Sequence, residues 1–381
     1  MAEVIIYDNK YEKLKYVDWD FKNTTQDPIS KLHPYPARFI ESIPKSLIKL
    51  LEVEDGSAVL DPFCGSGTTL LEAQKQGKKS VGIDLNPIAC LISRVKTQPI
   101  NSNLVQWAEV VYQNAMKKYE AENMDIPQIP NLDHWFKLDV QRAIFSLISE
   151  INIIENSVVQ DALRFTLSSI IVRVSNQESD TRYAAVDKKA KAKDVFNNFQ
   201  LAYKRLAMAK TDMNYQCESL VINKDILTVG AEDIKDKIGL VITSPPYPNA
   251  YEYWLYHKYR MWWLGYDPID VREHEIGARP HYQKKNGQTE EDFYKQMDTV
   301  FQLFEDCVVK GGHVCIVIGR SVIKGYEINN AALIQDIGKK RGFNLVVDIE
   351  RNISATKKSF NLKYGKIKKE NILVFRRDKQ K

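Results

Sequence analysis

The chain is poor in the residue types that define several classes of protein. It has 381 residues but only 14 prolines, 17 glycines and five cysteines. The cysteines are widely spaced, form no C-x-x-C pair and have no histidine at ligand spacing, so the sequence predicts neither a disulfide framework nor a metal site. Proline and glycine are too scarce for a fibrous or low-complexity chain. We therefore expect a globular protein with reduced cysteines at positions 64, 90, 217, 307 and 315.

Long apolar runs are also absent. No run approaches the roughly 20 residues that a membrane span requires. The first residues, MAEVIIYDNKYEK, lack the basic segment and apolar core of a signal peptide. These observations predict a cytoplasmic protein with no membrane partner.

The positive charge is unevenly distributed along the chain. Residues 351–381 hold 11 Lys and Arg against two acidic residues, and residues 181–210 hold eight against two. Segments of this kind suit a phosphate backbone, although solvated lysine-rich surfaces have the same composition. The charge pattern alone leaves both interpretations open.

Short apolar runs ending in polar turns alternate with helical patterns. The runs SAVLD (57–61), SVGID (80–84), ESLVIN (218–223), GLVITS (239–244) and HVCIVIG (313–319) are typical of buried strands. The segments 68–77 and 292–312 have helical patterns that end at glycine. This alternation predicts an α/β fold with a mostly parallel, doubly wound sheet.

Two regions interrupt the alternation. Residues 100–215 are largely helical in pattern and far longer than an ordinary crossover, so we expect a helical insertion that forms its own lobe. Near the end, 343–350 and 371–377 resemble two strands joined by about 20 basic and polar residues, which favours an antiparallel pair. The predicted organisation is 1–99, the insertion 100–215, and 216–381.

A glycine-containing loop follows the first of these strands. In DPFCGSGTT (61–69), Gly65 and Gly67 allow a ligand to approach the backbone at a helix N-terminus. Asp84 ends the next strand, where an acid can accept hydrogen bonds from both ribose hydroxyls. The third glycine of G-x-G-x-x-G is missing, and Asp61 would repel a pyrophosphate. A nucleoside cofactor that carries an ammonium group therefore fits better than a dinucleotide.

The segment LDPFCGSGTTLLEAQKQGKKSVGIDLNP resembles the cofactor motif of S-adenosylmethionine-dependent DNA amino-methyltransferases, and HPYPARF (33–39) resembles the HPxPA-F segment that packs beside the methionine part of the cofactor. The resemblance implies a Rossmann-like, seven-stranded methyltransferase sheet with a terminal antiparallel hairpin. Asp225 is placed like a residue that contacts the cofactor's adenine ring, or else is a simple turn aspartate. The implied cofactor-binding residues are His33, Pro36, Asp61, Phe63, Gly65, Ser66, Gly67, Thr68, Thr69, Asp84, Asn86 and Asp225.

A second loop, T-S-P-P-Y, lies at the carboxyl end of the strand GLVITS. Its two prolines stiffen the turn and remove N–H donors, so the loop can offer acceptors to an amino group. By resemblance, the side chain of Ser244 and the carbonyl of Pro245 hold an exocyclic amino group, Pro246 completes the turn, and Tyr247 stacks on an extruded base. Alone, the same residues could simply end a strand. Together with the glycine loop they predict a catalytic loop.

The type of base follows from the first residue of this loop. Carbon-5 cytosine methylation needs a cysteine beside the loop, and this chain has Pro-Pro there. In the family, Ser at position 244 is more typical of cytosine-N4 enzymes, and Asp or Asn of adenine-N6 enzymes. The prediction is a site-specific cytosine-N4 DNA methyltransferase. The alternatives are an adenine-N6 enzyme, an RNA amino-methyltransferase, and a catalytically silent nucleic-acid-binding subunit.

The expected partners are double-stranded DNA and a restriction endonuclease that acts separately. In this family a recognition domain commonly interrupts the chain, which makes the 100–215 insertion a candidate for target recognition. Residues 264–288, after the catalytic loop, are a second candidate. The predicted DNA-binding residues are Arg182, Lys188, Lys189, Lys357 and Lys358.

Overall fold

The computed structural model describes residues 2–22, 25–51, 53–100, 103–120, 124–180, 182–211, 213, 215, 217–249, 251–353 and 369–378. The strands are β1 (Glu3–Ile6), β2 (Ala58–Asp61), β3 (Ser80–Asp84), β4 (Gln177–Ser179), β5 (Arg182–Ala185), β6 (Ser219–Asn223), β7 (Ile238–Thr243), β8 (Val308–Gly319), β9 (Ser321–Ile323), β10 (Tyr326–Ile328), β11 (Phe343–Asn352) and β12 (Lys369–Arg377). The α-helices are α1 (Ser42–Leu50), α2 (Thr68–Lys75), α3 (Pro87–Thr97), α4 (Leu104–Glu120), α5 (Leu132–Trp135), α6 (Leu138–Asn152), α7 (Ser157–Val174), α8 (Ala192–Thr211), α9 (Ala231–Ile234), α10 (Tyr253–Trp263), α11 (Pro268–His274), α12 (Arg279–Gln283), α13 (Glu290–Cys307) and α14 (Asn330–Lys340).

Eight strands form one sheet in the order β1, β11, β12, β8, β7, β2, β3, β6. β8, β7, β2, β3 and β6 run parallel to one another. β12 runs antiparallel to both β8 and β11. The predicted α/β sheet with a reversed terminal hairpin is confirmed. The eighth strand was not predicted: β1 pairs with β11 at the edge of the sheet.

Both faces of the sheet are covered, which explains the near-continuous apolar character of its strands. All positions of β2 and β7 are buried. Val59 and Leu240 face a core that includes residues of α1, whereas their neighbours Leu60 and Val241 face one that includes α13 and α14. Successive side chains of a strand point to opposite faces, so a strand that is covered on both faces has no solvent-facing positions.

The predicted helix 292–312 ends earlier than its Gly-Gly pattern indicated. α13 stops at Cys307, and Val308 already pairs with Ile238 of β7. The register shifts between Ile238 and Leu240 in that pairing. A side chain on Gly312 would come within 2.9 Å of the Gly239 carbonyl oxygen. The glycines therefore accommodate an irregularity within β8 and do not cap a helix.

The segment 100–215 contains α4 to α8 and the small hairpin β4–β5. Its core is continuous with two helices outside the segment: Leu91 of α3 and Met261 of α10 belong to the same cluster as Leu147 and Phe199. The helical segment is thus packed into the body of the protein through α3 and α10. In the part of the chain that the structure describes, no helix combines the length and the apolar character needed to cross a bilayer.

Candidate active site

The glycine loop occupies the connection between β2 and α2. Gly65 and Gly67 both have positive φ, 49° and 73°. A Cβ on Gly67 would lie 2.7 Å from Ser93 Oγ, so the loop is packed closely against α3. On that side, Ser93 donates to the Gly65 carbonyl at 2.9 Å, and the buried Lys96 donates to the Ser66 carbonyl at 2.7 Å. These contacts from α3 hold the loop in place. The positive φ angles of Gly65 and Gly67 favour glycine at both positions.

Asp84 is held in place at the end of β3. Its Oδ2 accepts the N–H of Gly65 and its Oδ1 accepts the N–H of Asn86, both at 2.8 Å. Burial raises the pKa of Asp84 to about 6, and these two backbone donors oppose that shift. Each carboxylate oxygen keeps acceptor capacity for one more donor. The geometry therefore orients a carboxylate that can receive two hydroxyl groups.

Asp61 joins the glycine loop to the second predicted loop. Its Oδ1 accepts the hydroxyl of Thr243 at 2.6 Å and the N–H of Phe63 at 3.2 Å. Thr243 is the last residue of β7 and directly precedes Ser244. Burial raises the pKa of Asp61 to about 6. One side chain thus fixes the two loops to each other at the carboxyl edge of the sheet.

The His-Pro segment covers the glycine loop from the other side. A Cβ on Gly65 would meet the Tyr35 ring at 3.3 Å. Tyr35 stacks on Tyr253 and His257 of α10, with centroid distances of 5.8 and 5.1 Å. His33 itself is fully buried, with its Nε2 2.9 Å from Ser168 Oγ. His33 thus supports the segment, and the ring that reaches the loop belongs to Tyr35.

Tyr247 is anchored by its hydroxyl as well as by its ring. The hydroxyl donates to Glu370 Oε2 at 3.2 Å, and Glu370 forms an ion pair with the buried Arg351. Burial, and next the charge of Glu370, raises the pKa of Tyr247 well above its usual value, while a side-chain hydrogen bond with Ser244 acts in the opposite direction. Arg351 also donates to the carbonyl of Asp20 at 3.2 Å. The terminal hairpin therefore positions the ring predicted to stack on the base.

A third segment, Glu275 to Gly277, supports the catalytic loop. Glu275 accepts the N–H groups of Tyr253 and Trp254 at 2.8 Å each, at the start of α10. Burial raises the pKa of Glu275 to about 8. Gly277 has a φ of 79°, and a Cβ there would lie 2.8 Å from the carbonyl oxygen of Tyr247. The segment thus holds both the helix that carries Tyr253 and the backbone of the catalytic loop.

Comparison with known proteins finds a family model that matches the first of these loops. Residues 4–94, which include the His-Pro segment, the glycine loop and Asp84, match the family model described as DNA methylase. This part of the chain is similar to the DNA methylase family. Type II methyltransferase M.MvaI of Kocuria varians is 28% identical over 255 residues, 60% of this chain and 56% of that protein. Type II methyltransferase M.BsoBI of Geobacillus stearothermophilus is 26% identical over 280 residues, 63% of this chain and 53% of that protein.

The chain thus spans a little over half the length of these two relatives. Among solved structures, TrmN from Thermus thermophilus aligns over 92% of this chain and 52% of its own, at 11% identity and a TM-score of 0.36. That score is too low to support an argument. The likeness to the DNA methylase family therefore rests on the matched sequence of residues 4–94 and on the two relatives above.

The other residues predicted from the DNA methylase motifs lie around the same edge of the sheet. Asp225 caps the turn after β6 by accepting the Leu227 N–H at 3.0 Å. Pro36 and Pro245 are buried, and Phe63 and Pro246 are half-buried. Thr68 and Thr69 open α2. Thr69 Oγ1 also lies 3.4 Å from the Ile242 carbonyl, to which it donates.

The predicted DNA-binding residues occupy different environments. Arg182 is exposed and forms an ion pair with Glu178 at 2.9 Å. Lys188 donates to the Val172 carbonyl at 2.7 Å, and burial lowers its pKa. Lys189 is exposed. Lys357 and Lys358 lie outside the described residues.

Sequence reasoning missed four residues that position the site: Tyr35, Glu275, Gly277 and Glu370. Tyr35 stands inside a recognised motif, and a tyrosine between two prolines was the available signal. The other three act from distant parts of the chain and have no local pattern. Within the described ranges no cluster of three His, Cys, Asp or Glu could hold a metal ion.

Proposed function

We propose that this chain transfers a methyl group from S-adenosylmethionine to the exocyclic amino group of a base in DNA, and that the base is cytosine, methylated at N4. The observation that carries the proposal is the hydrogen bond between Asp61 and Thr243 at 2.6 Å. It fixes a family cofactor loop beside a loop of the sequence Ser-Pro-Pro-Tyr. A cofactor and an amino-group acceptor site are thereby brought to one edge of the sheet.

The residues around the glycine loop fit the cofactor. Among the described residues, Thr68 Oγ1 and Asn86 Nδ2 are buried and have no hydrogen-bond partner. Both belong to the segment expected to hold the cofactor, and a buried polar atom without a partner is costly unless a ligand or water satisfies it. Asp84 would accept the ribose hydroxyls, and Asp225 and Phe63 would flank the adenine. When bound, the cofactor supplies an electrophilic methyl group on a sulfonium centre.

The catalytic loop prepares the amino group. An exocyclic amine is conjugated with its ring, so its lone pair is a poor nucleophile. Ser244 Oγ and the Pro245 carbonyl would accept hydrogen bonds from its two N–H groups and favour a tetrahedral nitrogen whose lone pair is no longer conjugated with the ring. The base must first leave the duplex, and Tyr247 offers a ring on which it can stack. Pro246 keeps the turn rigid.

Ser244 supports cytosine as the target, because serine at this position is more typical of cytosine-N4 enzymes in the family that the sequence resembles. The relatives carry the name Type II methyltransferase. On that basis the proposal includes a restriction–modification role, with a separately acting endonuclease as the cognate partner. We place the enzyme in the cytoplasm together with its DNA substrate.

The deciding experiment incubates the protein with methyl-labelled S-adenosylmethionine and plasmid DNA, digests the DNA to nucleosides and identifies the labelled base. We expect N4-methylcytosine, and a lower rate of labelling with Ser244→Ala. N6-methyladenine would replace cytosine by adenine in the proposal. A parallel incubation with total RNA separates the remaining alternatives: label on RNA alone would indicate an RNA methyltransferase, and cofactor binding without transfer to either nucleic acid would indicate a silent binding subunit.

A further inference from the structure

A small structural unit stands beside the catalytic loop. It consists of α12, the turn 284–288 and the hairpin β9–β10, and we refer to it as the α12–hairpin unit. Its own apolar cluster contains Tyr282, Ile323 and Ile328, with Leu333 packed against it. The hairpin turns through Lys324 and Gly325, both with positive φ, as in a type I′ turn. The α12–hairpin unit therefore has regular secondary structure and a small apolar core of its own.

Two contacts place this unit next to the catalytic loop. Asn249, two residues after Tyr247, donates through its side-chain amide to the Val322 carbonyl of β9 at 2.8 Å. Gly277, two residues before α12, packs against the Tyr247 carbonyl. The hairpin also comes directly after β8. The carboxyl end of β8 lies beside that of β7. The α12–hairpin unit thus extends the edge of the sheet at which Ser244 and Tyr247 lie.

The outer surface of the unit is basic and carries one exposed aromatic ring. Lys284, Lys285 and Lys324 are exposed and form no ion pair with a described residue. Lys324 Nζ lies 3.4 Å from the Lys285 carbonyl, which brings the two turns together. Tyr326 is 76% exposed. The carboxylate of the hairpin, Glu327, is matched by Arg320 at 2.7 Å, so the three lysines keep their charge uncompensated within the unit.

We propose that the α12–hairpin unit binds the DNA backbone beside the target base, with Lys284, Lys285 and Lys324 against phosphates and Tyr326 against a neighbouring sugar or base. The inference rests on the proposed function and deepens it, because it names the surface that holds the duplex. Clustered lysines around an exposed aromatic ring match the chemistry of a nucleic-acid strand. Of the basic residues predicted earlier, Lys188 is bonded internally, which weakens the case for segment 181–210.

The test measures binding of a fluorescent 30-base-pair duplex over a range of salt concentrations. The variant Lys284→Gln/Lys285→Gln/Lys324→Gln should reduce the slope of log affinity against log salt by about 2 to 3, because each phosphate contact contributes about 0.9. The matched control is Lys49→Gln/Lys237→Gln/Lys339→Gln, which removes equal charge from exposed lysines at the opposite ends of the strands. It should leave the slope near that of the unmodified protein.

Tyr326 is tested separately in the same assay. Tyr326→Ala should weaken duplex binding by roughly fivefold or more, and Tyr326→Phe should bind normally, since only the ring face is used. Calorimetry with S-adenosylmethionine on every variant checks that the cofactor site is intact.

The two levels of the proposal fail differently. If the unmodified protein methylates DNA but the lysine variant has the slope of its control, the α12–hairpin unit is not the DNA surface. If the unmodified protein binds cofactor but methylates no DNA, the proposed function itself is wrong. A slope change confined to the lysine variant, in a protein that methylates DNA, supports both.

Discussion

Asp84 should make cofactor affinity depend on pH, because it is the proposed acceptor of the ribose hydroxyls and its pKa is raised. Its carboxylate is oriented by the N–H groups of Gly65 and Asn86, and burial raises its pKa to about 6. Only the ionised form can accept hydrogen bonds from two ribose hydroxyls. Cofactor affinity should therefore be highest above pH 7 and fall as the pH decreases through 6. At pH 5 about a tenth of the carboxyl groups would be ionised, which predicts a loss of roughly tenfold.

Calorimetry of S-adenosylmethionine binding between pH 5 and 8 measures this dependence. Asp84→Asn should bind weakly with a flat profile. Asp61 has a pKa of about 6 as well, so Asp61→Asn is the necessary control: it should keep the fall in affinity at low pH. If the pH profile of Asp61→Asn were flat, the pH dependence of cofactor affinity would belong to Asp61, and its assignment to Asp84 would be wrong.

Tyr247 is a case in which the structure adds to the motif. The motif gives a role only to the ring face, but the hydroxyl donates to Glu370 at 3.2 Å. Tyr247→Phe would remove a hydrogen-bond donor from a mostly buried carboxylate, which costs about 1 to 3 kcal/mol. The ring would then be held less firmly. We therefore expect a lower transfer rate for Tyr247→Phe and a larger loss for Tyr247→Ala.

Single-turnover rates on paired and mismatched duplexes separate the two effects. A mismatch reduces the work of extruding the base, so it should partly restore Tyr247→Ala, which lacks the stacking ring. It should not restore Tyr247→Phe, in which the ring is present but less well held. Equal rates for Tyr247→Phe and the unmodified protein would show that the Glu370 contact is dispensable.

At the scale of elements, the catalytic loop is held between β7 and the segment that leads into α12. Gly277 allows this because its φ is 79° and a Cβ would lie 2.8 Å from the Tyr247 carbonyl oxygen. Gly277→Ala should lower the transfer rate at least tenfold while cofactor affinity stays within a fewfold of normal. The physical reason is displacement of the catalytic loop backbone by the added methyl group.

Gly342 offers a matched control. It has a similar φ of 76°, but nothing lies within 4 Å of the position of a Cβ. Gly342→Ala carries the same backbone strain, roughly 1 kcal/mol, without a clash. Thermal unfolding of both variants, beside single-turnover rates, distinguishes strain from displacement. Similar rate losses in the two variants would contradict the role given to Gly277.

Elements whose signals are local were predictable from the sequence. β3 has the predicted bounds, because SVGID is β-branched and is followed by a helix that begins at Pro87. The start of β8 was missed, because VVKGG continues a helical pattern and its strand pairing with Ile238 is a distant contact. β1 was missed for the same reason, since a short half-buried strand is defined by its partner β11.

The site divides in the same way. Gly65, Asp84 and Ser244 stand in local motifs, so their roles could be predicted from the sequence alone. Glu370 and Glu275 reach the site only through folding, 123 and 22 residues from their partners Tyr247 and Tyr253. The residues around Glu370 and Glu275 in the sequence do not indicate that these side chains are buried or what they contact. Their support of the catalytic loop could therefore be found only from the structure.

At the scale of the whole molecule, the helical segment 100–215 and the sheet are joined through α3 and α10. Phe136 is 1% exposed and packs edge-on against Tyr259 and Trp263 of α10, at centroid distances of 5.4 and 5.7 Å. α10 in turn carries Tyr253, which stacks on Tyr35 above the glycine loop. The packing thus connects the insertion with the cofactor site and predicts that the two unfold together.

Unfolding in denaturant tests this connection. Trp135, Trp254 and Trp263 lie in the core shared by the insertion and α10, whereas Phe301 lies in the other core, between α13 and the sheet. Phe301→Ala should cost about 3 to 5 kcal/mol. If the molecule unfolds as one unit, this variant shifts the tryptophan fluorescence transition and the circular dichroism transition by the same amount, and Phe136→Ala does likewise.

A fluorescence midpoint that stays fixed in Phe301→Ala, while circular dichroism shows an earlier loss of the sheet, would mean that the insertion is an independent folding unit. In that case α10 would not couple the insertion to the active site.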